Sequence, residues 1–359
     1  MSSKTDTENL ISKTPSSNTN NVRRLKIFGF VLTIFGISLF AYFVYYVGFR
    51  EILKGIGAIG ISGFVVILFI YFLRIVVRSI SWKLSVTKPY ALSFKDTFPA
   101  VIIGEALSSM IPLGILMSGT AKAVAVRKRV PIVAGLSSVA TENLFYSLVT
   151  ALFICFGAAA FLSRFELPFL WVYLVDLIIV FLILAIILGA LVVIRQWNWA
   201  SAICDWLYKK NILRSVLDSG RLQVRLFENL IFAFYRQYPR RFLPICGLQV
   251  LFHSLGVFEV WFILSRIGDR IPAISTAFFL ESISRLITIV FKLVPLVIGI
   301  DEAGAEFITE TLAIGVGVGV TLAIIRKGRV LFWAAIGVIL IIKRGLSMKE
   351  MQNVHIEEK

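Results

Sequence analysis

Charged residues, histidines and cysteines are scarce in this sequence. Asp, Glu, Lys and Arg make up 16% of the 359 residues, whereas about a quarter is usual in a soluble domain. The two histidines (His253 and His355) and the three cysteines (Cys155, Cys204 and Cys246) stand far apart, and no CxxC or HExxH motif occurs. These absences argue against a zinc site, a disulfide framework and a hydrolytic triad. We therefore predict no metal, no cofactor and no catalytic residue.

A nucleotide-binding loop is also missing. The chain contains no GxxxxGK[ST] motif, which excludes an ATP site of that type. Gly315, Gly317 and Gly319 form the most regular glycine pattern, but apolar residues surround them and no strand precedes them. Close packing between helices explains these glycines better than a phosphate loop does. We predict that they lie within an apolar helix.

Long hydrophobic blocks dominate what is present. The sequence is 58% hydrophobic, and its apolar residues fall in runs that approach the roughly 20 residues a helix needs to cross a bilayer. The runs lack the alternation of barrel strands. The sequence thus predicts an all-α polytopic membrane protein with about 7–8 transmembrane helices. The predicted spans are 27–47, 61–84, 133–161, 169–194, 242–264, 273–291 and 305–325, with a short last block at 330–342.

Two apolar segments are short and interrupted by proline and glycine. Residues 98–119 contain Pro112, and residues 292–304 contain Pro295; each proline comes after a helix that carries a carboxylate, Glu105 for the first and Glu281 for the second. Broken helices at corresponding positions in two halves of a membrane protein are typical of transport sites. We predict that both segments are re-entrant, entering the bilayer without crossing it, and that the chain is an inverted pseudo-repeat.

The net charge of +16 comes from basic residues between the apolar blocks. Lys and Arg collect on the cytoplasmic side of membrane proteins, so orientation explains this charge better than nucleic-acid binding. We expect a multi-pass protein of the cell (inner or cytoplasmic) membrane with a cytoplasmic N-terminus. The predicted parts are a disordered cytoplasmic tail (1–22), a membrane domain (23–345) and a polar C-terminal tail (346–359). Within the domain, residues 195–241 read as an amphipathic segment on the cytoplasmic surface.

Ionisable residues inside the predicted spans are candidates for function because they are costly to insert. A hydrated cavity for a phosphate-bearing headgroup would use the cations and nearby acids of the broken segments, since guanidinium groups donate forked hydrogen bonds to phosphate. Mutual neutralisation in buried pairs is the alternative. The candidate binding residues are Arg74, Arg78, Lys122, Arg285, Lys292, Glu105 and Glu142. Asp301, Glu302 and Glu306 are candidates for coupling occupancy to protons.

The order of several motifs resembles the lysylphosphatidylglycerol synthase transmembrane-region family of flippase-like membrane proteins. The matching stretches are Leu73-Arg74 with Arg78 and Trp82, Gly104 to Gly114 followed by Lys122, Glu142 to Tyr146, Val294 to Gly304, and Arg326 to Arg329 before Trp333. The similarity covers about residues 25–345.

This resemblance implies the movement of a lipid headgroup between leaflets. The implied substrate is an anionic or aminoacylated lipid, a polyprenyl phosphate or a hopanoid-type lipid. Bifunctional relatives carry a soluble aminoacyl-transferase half after the membrane part; this chain has a short polar tail there, so we expect no enzyme activity. The alternatives are a membrane-embedded enzyme of lipid or glycan metabolism, or an accessory subunit of one. Candidate partners are membrane lipids with anionic headgroups, a second copy of the chain, and a lipid-synthesis protein; nucleic acid is not expected.

Overall fold

The structure, a computed structural model, describes residues 37–110, 114–165, 168–210, 214–268, 271–291 and 297–344. The described residues are helical and contain no strand. The helices are α1 (Ile37–Val47), α2 (Phe49–Leu84), α3 (Phe94–Met110), α4 (Gly114–Ala125), α5 (Ile132–Leu162), α6 (Phe169–Arg195), α7 (Trp199–Lys209), α8 (Arg214–Gln237), α9 (Phe242–Ile267), α10 (Ile274–Val290), α11 (Ile300–Thr311) and α12 (Val318–Lys343). A short 3-10 turn, Pro239–Arg241, joins α8 to α9.

Four stretches are long and apolar enough to cross a membrane: Phe49–Leu84, Ile132–Leu162, Val172–Arg195 and Pro239–Ile267. The predicted all-α polytopic fold class is therefore confirmed, while the number of spans stays a prediction. The helix of the second predicted span begins earlier than expected. Gly60, with φ 63° and ψ −179°, breaks its first turns from the rest, because that backbone conformation suits a residue without a Cβ.

Two pairs of short helices stand at the broken segments. In each pair a 17-residue helix is followed by a 12-residue helix, as α3 with α4 and as α10 with α11. At about 1.5 Å per residue, a 12-residue helix is about 18 Å long and cannot cross a hydrocarbon core of about 30 Å. The matching lengths agree with a pseudo-repeat of two hairpins. The second pair differs from the prediction, because it takes in the predicted span 273–291 and ends at Thr311, beyond the predicted segment 292–304. Residues 111–113 and 292–296, and with them Pro112 and Pro295, lie outside the described residues.

The predicted span over residues 305–325 is wrong. Helix α11 ends at Thr311, and α12 begins at Val318 and runs on to Lys343 without interruption. The turn between them contains Ala313, Gly315 and Gly317, all with positive φ, which a helix does not tolerate. The short last block, 330–342, is the second half of α12.

The interpretation of the glycine pattern is also wrong in part. Gly315 and Gly317 do not lie in a helix, since they form the turn and the N-cap before α12. Gly319 is within α12 and packs closely on α11, as predicted for all three. The basic residues Arg326, Lys327 and Arg329 therefore lie in the middle of a helix and not after its end.

The helices pack around α2 and α9, which lie against each other. Helix α12 packs on α11 with its first half and on α3 with its second, where Gly337 contacts the Ile102 carbonyl. Helix α6 packs against α5 and leaves its large apolar side chains exposed, as expected for a helix that faces lipid. Helix α12 thereby contacts both hairpins, α3–α4 and α10–α11.

The amphipathic segment predicted over residues 195–241 consists of two helices, α7 and α8. Helix α8 packs on α5 through Phe234, which is fully buried. Glu228 of α8 accepts hydrogen bonds from the backbone N–H groups of Ala200 and Ser201, at 2.8 and 3.1 Å. The carboxylate thus caps the start of α7. The predicted tails, 1–22 and 346–359, lie outside the described residues.

Candidate functional site

A cavity of about 430 Å³ lies between the two short-helix hairpins. Its walls come from α2, α3, α4, α5, α9, α10, α11 and α12. Ser108, Ser109, Ser118 and Asn143 contribute uncharged polar groups. The cationic lining residues are Arg74, Arg78, Lys122, Arg285, Arg326, Lys327 and Arg329. We call this space the polar cavity.

Helix α2 supplies the two arginines that the sequence placed on one face. Arg74 and Arg78 are one turn apart, and both line the polar cavity. They contact different carboxylates, however. Arg74 reaches Glu259 at 3.3 Å, whereas Arg78 reaches Glu105 at 2.5 Å. One helix face therefore connects two separate sets of charges.

The first set, the Glu142 group, consists of Arg78, Lys122, Glu105 and Glu142. The Arg78 Nε atom lies 3.3 Å from the fully buried Glu142 carboxylate, and Lys122 Nζ lies 4.0 Å from its other oxygen. Arg78 also donates to the Asn143 side-chain oxygen at 3.2 Å. Two cations thus face two carboxylates in this group.

The second set, the Glu281 group, surrounds a carboxylate that is fully buried. One Glu281 oxygen accepts hydrogen bonds from Arg285 Nε and Nη2, at 2.8 and 2.6 Å, and the other accepts one from Arg326 at 2.8 Å. Arg74 lies 3.8 Å away. The members of the group are Arg74, Arg285, Arg326, Lys327, Arg329, Glu259, Glu281, Asp301 and Glu302.

Three neighbouring cations of α12 each pair with a different helix. Arg326 binds Glu281 of α10, and Arg329 donates to Glu259 of α9. Lys327 forms an ion pair with Glu302 of α11 at 2.7 Å, although the angle is not that of a hydrogen bond. Asp301, at 3.6 Å, is a second partner of Lys327. These contacts hold the middle of α12 at the cavity wall.

Aromatic rings support the guanidinium groups. The Arg78 guanidinium lies 4.8 Å from the ring of Tyr146, and Arg329 lies 4.2 Å from Tyr71. Arg74 lies over Phe252 at 4.3 Å. Such contacts stabilise a cation that water no longer surrounds, so the rings fix the guanidinium groups in position as well as lining the cavity.

Glycines make room for two of the charged side chains. A Cβ at Gly104 of α3 would lie 2.8 Å from the Lys122 side chain, and one at Gly256 of α9 would lie 2.5 Å from a Glu281 oxygen. Real Cβ atoms do not approach other atoms so closely. These two glycines therefore allow Lys122 and Glu281 to pass between packed helices.

Most of the predicted binding residues come together. Arg74, Arg78, Lys122, Arg285 and Glu105 line the polar cavity, and Glu142 lies behind its wall in contact with Arg78. Lys292 lies outside the described residues. Of the predicted coupling residues, Asp301 lines the cavity and Glu302 is buried beside Lys327.

The structure does not bring Glu306 to the polar cavity. Its buried carboxylate accepts hydrogen bonds from the backbone N–H groups of Gly317 and Val320. It therefore caps the N-terminus of α12, where unpaired N–H groups and the helix dipole favour a negative charge. Glu310, one helix turn further along α11, is exposed.

Sequence reasoning missed the three cations of α12 as site residues because a basic run after an apolar block normally marks the membrane boundary. One available signal was Glu259, a carboxylate in the middle of a long apolar span, which needs a buried cation as its partner. Among the described residues, no group of three or more His, Cys, Asp or Glu side chains is arranged to hold a metal ion.

The sequence profile of the lysylphosphatidylglycerol synthase TM region matches residues 27–337. The chain belongs to this family. The match includes every residue that lines the polar cavity, from Tyr71 to Ala334. The predicted resemblance is therefore confirmed, and the protein is a multi-pass membrane protein of the lysylphosphatidylglycerol synthase transmembrane-region family. No curated protein and no solved structure is significantly similar to the chain.

Proposed function

We propose that the protein moves a lipid with an anionic headgroup between the two leaflets of the cell membrane. The observation that carries this proposal is the polar cavity, because seven cations line a space between the helices of a multi-pass membrane protein. Burying cations costs free energy. The six carboxylates that pair with them leave one positive charge in excess among the described residues. An anionic ligand gives the cations a function.

Unused hydrogen-bond donors support a phosphate-bearing ligand. Arg285 uses Nε and Nη2 on Glu281, and Arg326 uses Nη2. Among the described residues, no partner engages Nη1 of Arg285 or Nε and Nη1 of Arg326. Both residues line the cavity. Guanidinium groups with free N–H donors bind phosphate oxygens in a forked geometry.

The size of the polar cavity fits a headgroup better than a whole lipid. Its volume of about 430 Å³ is within the range of about 300–1,000 Å³ that small-ligand sites occupy. The acyl chains would stay in the hydrocarbon phase while the headgroup passes between the hairpins. Broken helices around a polar site are a recurrent arrangement in transporters, and the paired 17- and 12-residue helices have that form.

Lipid movement can be measured with the purified chain in unilamellar vesicles that contain acyl-labelled phosphatidylglycerol. A membrane-impermeant reductant destroys the label in the outer leaflet, and further loss reports movement from the inner leaflet. We expect the protein to accelerate that loss, and we expect Arg285→Gln to slow it by about tenfold or more, since a lost charge-assisted bond of about 1.4 kcal/mol has that effect.

The matched control is Lys54→Gln, which removes a cation from an exposed pair with Glu51 and should not change the rate. Equal rates with and without the wild-type protein would overturn the proposal. Chromatography of the lipid after the assay tests the alternative function: a new lipid product made by the purified chain would favour a membrane-embedded enzyme. The result of this assay does not depend on which side of the membrane the N-terminus lies or on a partner protein.

A further inference from the structure

The two charge groups around the polar cavity differ in their balance. In the Glu142 group, Arg78 and Lys122 face Glu105 and Glu142. In the Glu281 group, five cations face four carboxylates: Arg74, Arg285, Arg326, Lys327 and Arg329 against Glu259, Glu281, Asp301 and Glu302. Among the described residues, the second group therefore carries one positive charge without a counter-charge.

We infer that the site selects a phosphodiester headgroup with a net charge of −1, bound at the Glu281 group by Arg285 and Arg326. This inference rests on the proposed lipid transport and adds the place and the charge of the ligand. Each carboxylate in the group has a cation within 4.0 Å. A bound monoanion completes the charge balance of the group.

We expect the Glu281 group to select its ligand by charge, because burying an unpaired charge costs free energy. An unpaired charge away from water costs several kcal/mol, whereas a compensated set does not. A monoanionic phosphodiester brings the Glu281 group to neutrality. A zwitterionic headgroup leaves the excess positive charge in place, and a dianion leaves one negative charge. The free energy of binding should thus be most favourable at a headgroup charge of −1.

The geometry places the phosphate at Arg285 and Arg326. Both guanidinium groups are partly accessible, with side chains 15% and 11% exposed, whereas Arg74, which also lines the cavity, is only 2% exposed. Both are held by one carboxylate, Glu281, which accepts hydrogen bonds through one oxygen from each. Glu281 fixes the distance between the two arginines and leaves their outer N–H groups for a ligand. It is therefore a positioning residue.

The test compares acyl-labelled lipids that differ only in headgroup charge, in the vesicle assay described above. The probes are phosphatidylglycerol (−1), phosphatidylethanolamine (zwitterionic) and phosphatidic acid at pH 8 (close to −2). We expect the wild-type protein to move phosphatidylglycerol faster than either of the others by about tenfold or more, because a difference of one buried charge exceeds the 1.4 kcal/mol that a factor of ten represents.

Asp301→Asn changes the charge balance without removing an arginine. It leaves Lys327 with Glu302 as a partner, and it raises the excess charge of the group from one to two. We expect the ratio of phosphatidic acid to phosphatidylglycerol transport to rise by about tenfold. Lys327→Gln, made in the wild-type protein, removes the one excess positive charge of the group. It should raise the ratio of phosphatidylethanolamine to phosphatidylglycerol transport. Lys54→Gln should leave both ratios unchanged.

Two results would overturn the charge rule and leave lipid transport intact. One is a wild-type protein that moves phosphatidylethanolamine as fast as phosphatidylglycerol, and the other is an Asp301→Asn protein with the wild-type ratio. Movement of none of the three lipids would instead contradict the proposed function itself. Elution of each variant as the same species in gel filtration establishes that the proteins compared are folded.

Discussion

Gly319 of α12 lies directly against the backbone of α11 at Ala305, where an added Cβ would come within 2.3 Å of the carbonyl carbon. The contact is between two main chains, so neither partner can rotate away as a flexible side chain would. It sets the distance between α11 and α12 at the second residue of α12. The turn with positive φ that precedes it brings the two helices into this contact.

A methyl group at Gly319 should therefore separate α11 from α12. We expect Gly319→Ala to lower the free energy of unfolding by about 1–3 kcal/mol, the usual cost of overpacking, and to reduce lipid transport because Lys327 then moves away from Glu302. Thermal unfolding in detergent measures the stability. Gly189→Ala on α6 is the control, since a Cβ there has nothing within 4 Å; equal losses from both variants would contradict the interpretation.

Arg78 and Glu142 should stabilise the protein mainly through their interaction with each other. We expect Arg78→Gln to destabilise the protein by about 3–5 kcal/mol because it leaves the fully buried Glu142 carboxylate with a weaker counter-charge. Adding Glu142→Gln should restore much of that loss. A double-mutant cycle based on unfolding measurements gives the coupling. Losses that simply add would mean that the two side chains act independently.

Glu306 should stabilise the start of α12. Its carboxylate accepts hydrogen bonds from the N–H groups of Gly317 and Val320, so Glu306→Ala should cost about 1–2 kcal/mol, as the loss of an N-cap does. Glu306→Gln keeps one acceptor oxygen and should cost less. Glu310→Ala removes an exposed carboxylate of the same helix and serves as the control. The rate of backbone amide hydrogen exchange at residues 317–320 should increase in Glu306→Ala and should not change in Glu310→Ala.

The orientation of α7 and α8 can be tested with reporter fusions. We expect a fusion after Lys210 to be active with a cytoplasmic reporter and inactive with one that works only outside the cytoplasm, because basic residues flank this connection. The Trp206 ring in contact with Lys210 at 4.1 Å is typical of the membrane surface. Activity of the external reporter at this position would invert the predicted topology.

Hydropathy and length predicted the helices that consist of one long apolar run. The predicted spans 133–161 and 169–194 agree with α5 and α6 to within a residue or two at each end, since an unbroken apolar run has one stable form in a bilayer. Helix α12 could not be predicted in this way. Its cations Arg326, Lys327 and Arg329 are acceptable inside a helix because Glu281, Glu302 and Glu259 come from elsewhere in the chain.

The polar cavity was predictable in part for the same reason. Arg74, Arg78 and Glu105 stood out because they interrupt apolar runs, and they do come together. The pairing of each cation depends on which helices are neighbours, which a hydropathy pattern does not encode. The position of Glu306 could not be predicted because its partners are backbone N–H groups, and the residue types in a sequence do not show which backbone groups lie near a side chain.

The three ion pairs of α12 restrict how the protein can change shape. Since Arg326, Lys327 and Arg329 bind α10, α11 and α9 in turn, these four helices cannot slide past one another singly without exposing several buried charges at once. They are coupled into one block. Helix α2 joins that block through Arg74 and joins α3 and α5 through Arg78. A displacement of α2 along its axis would therefore break ion pairs in both charge groups at the same time.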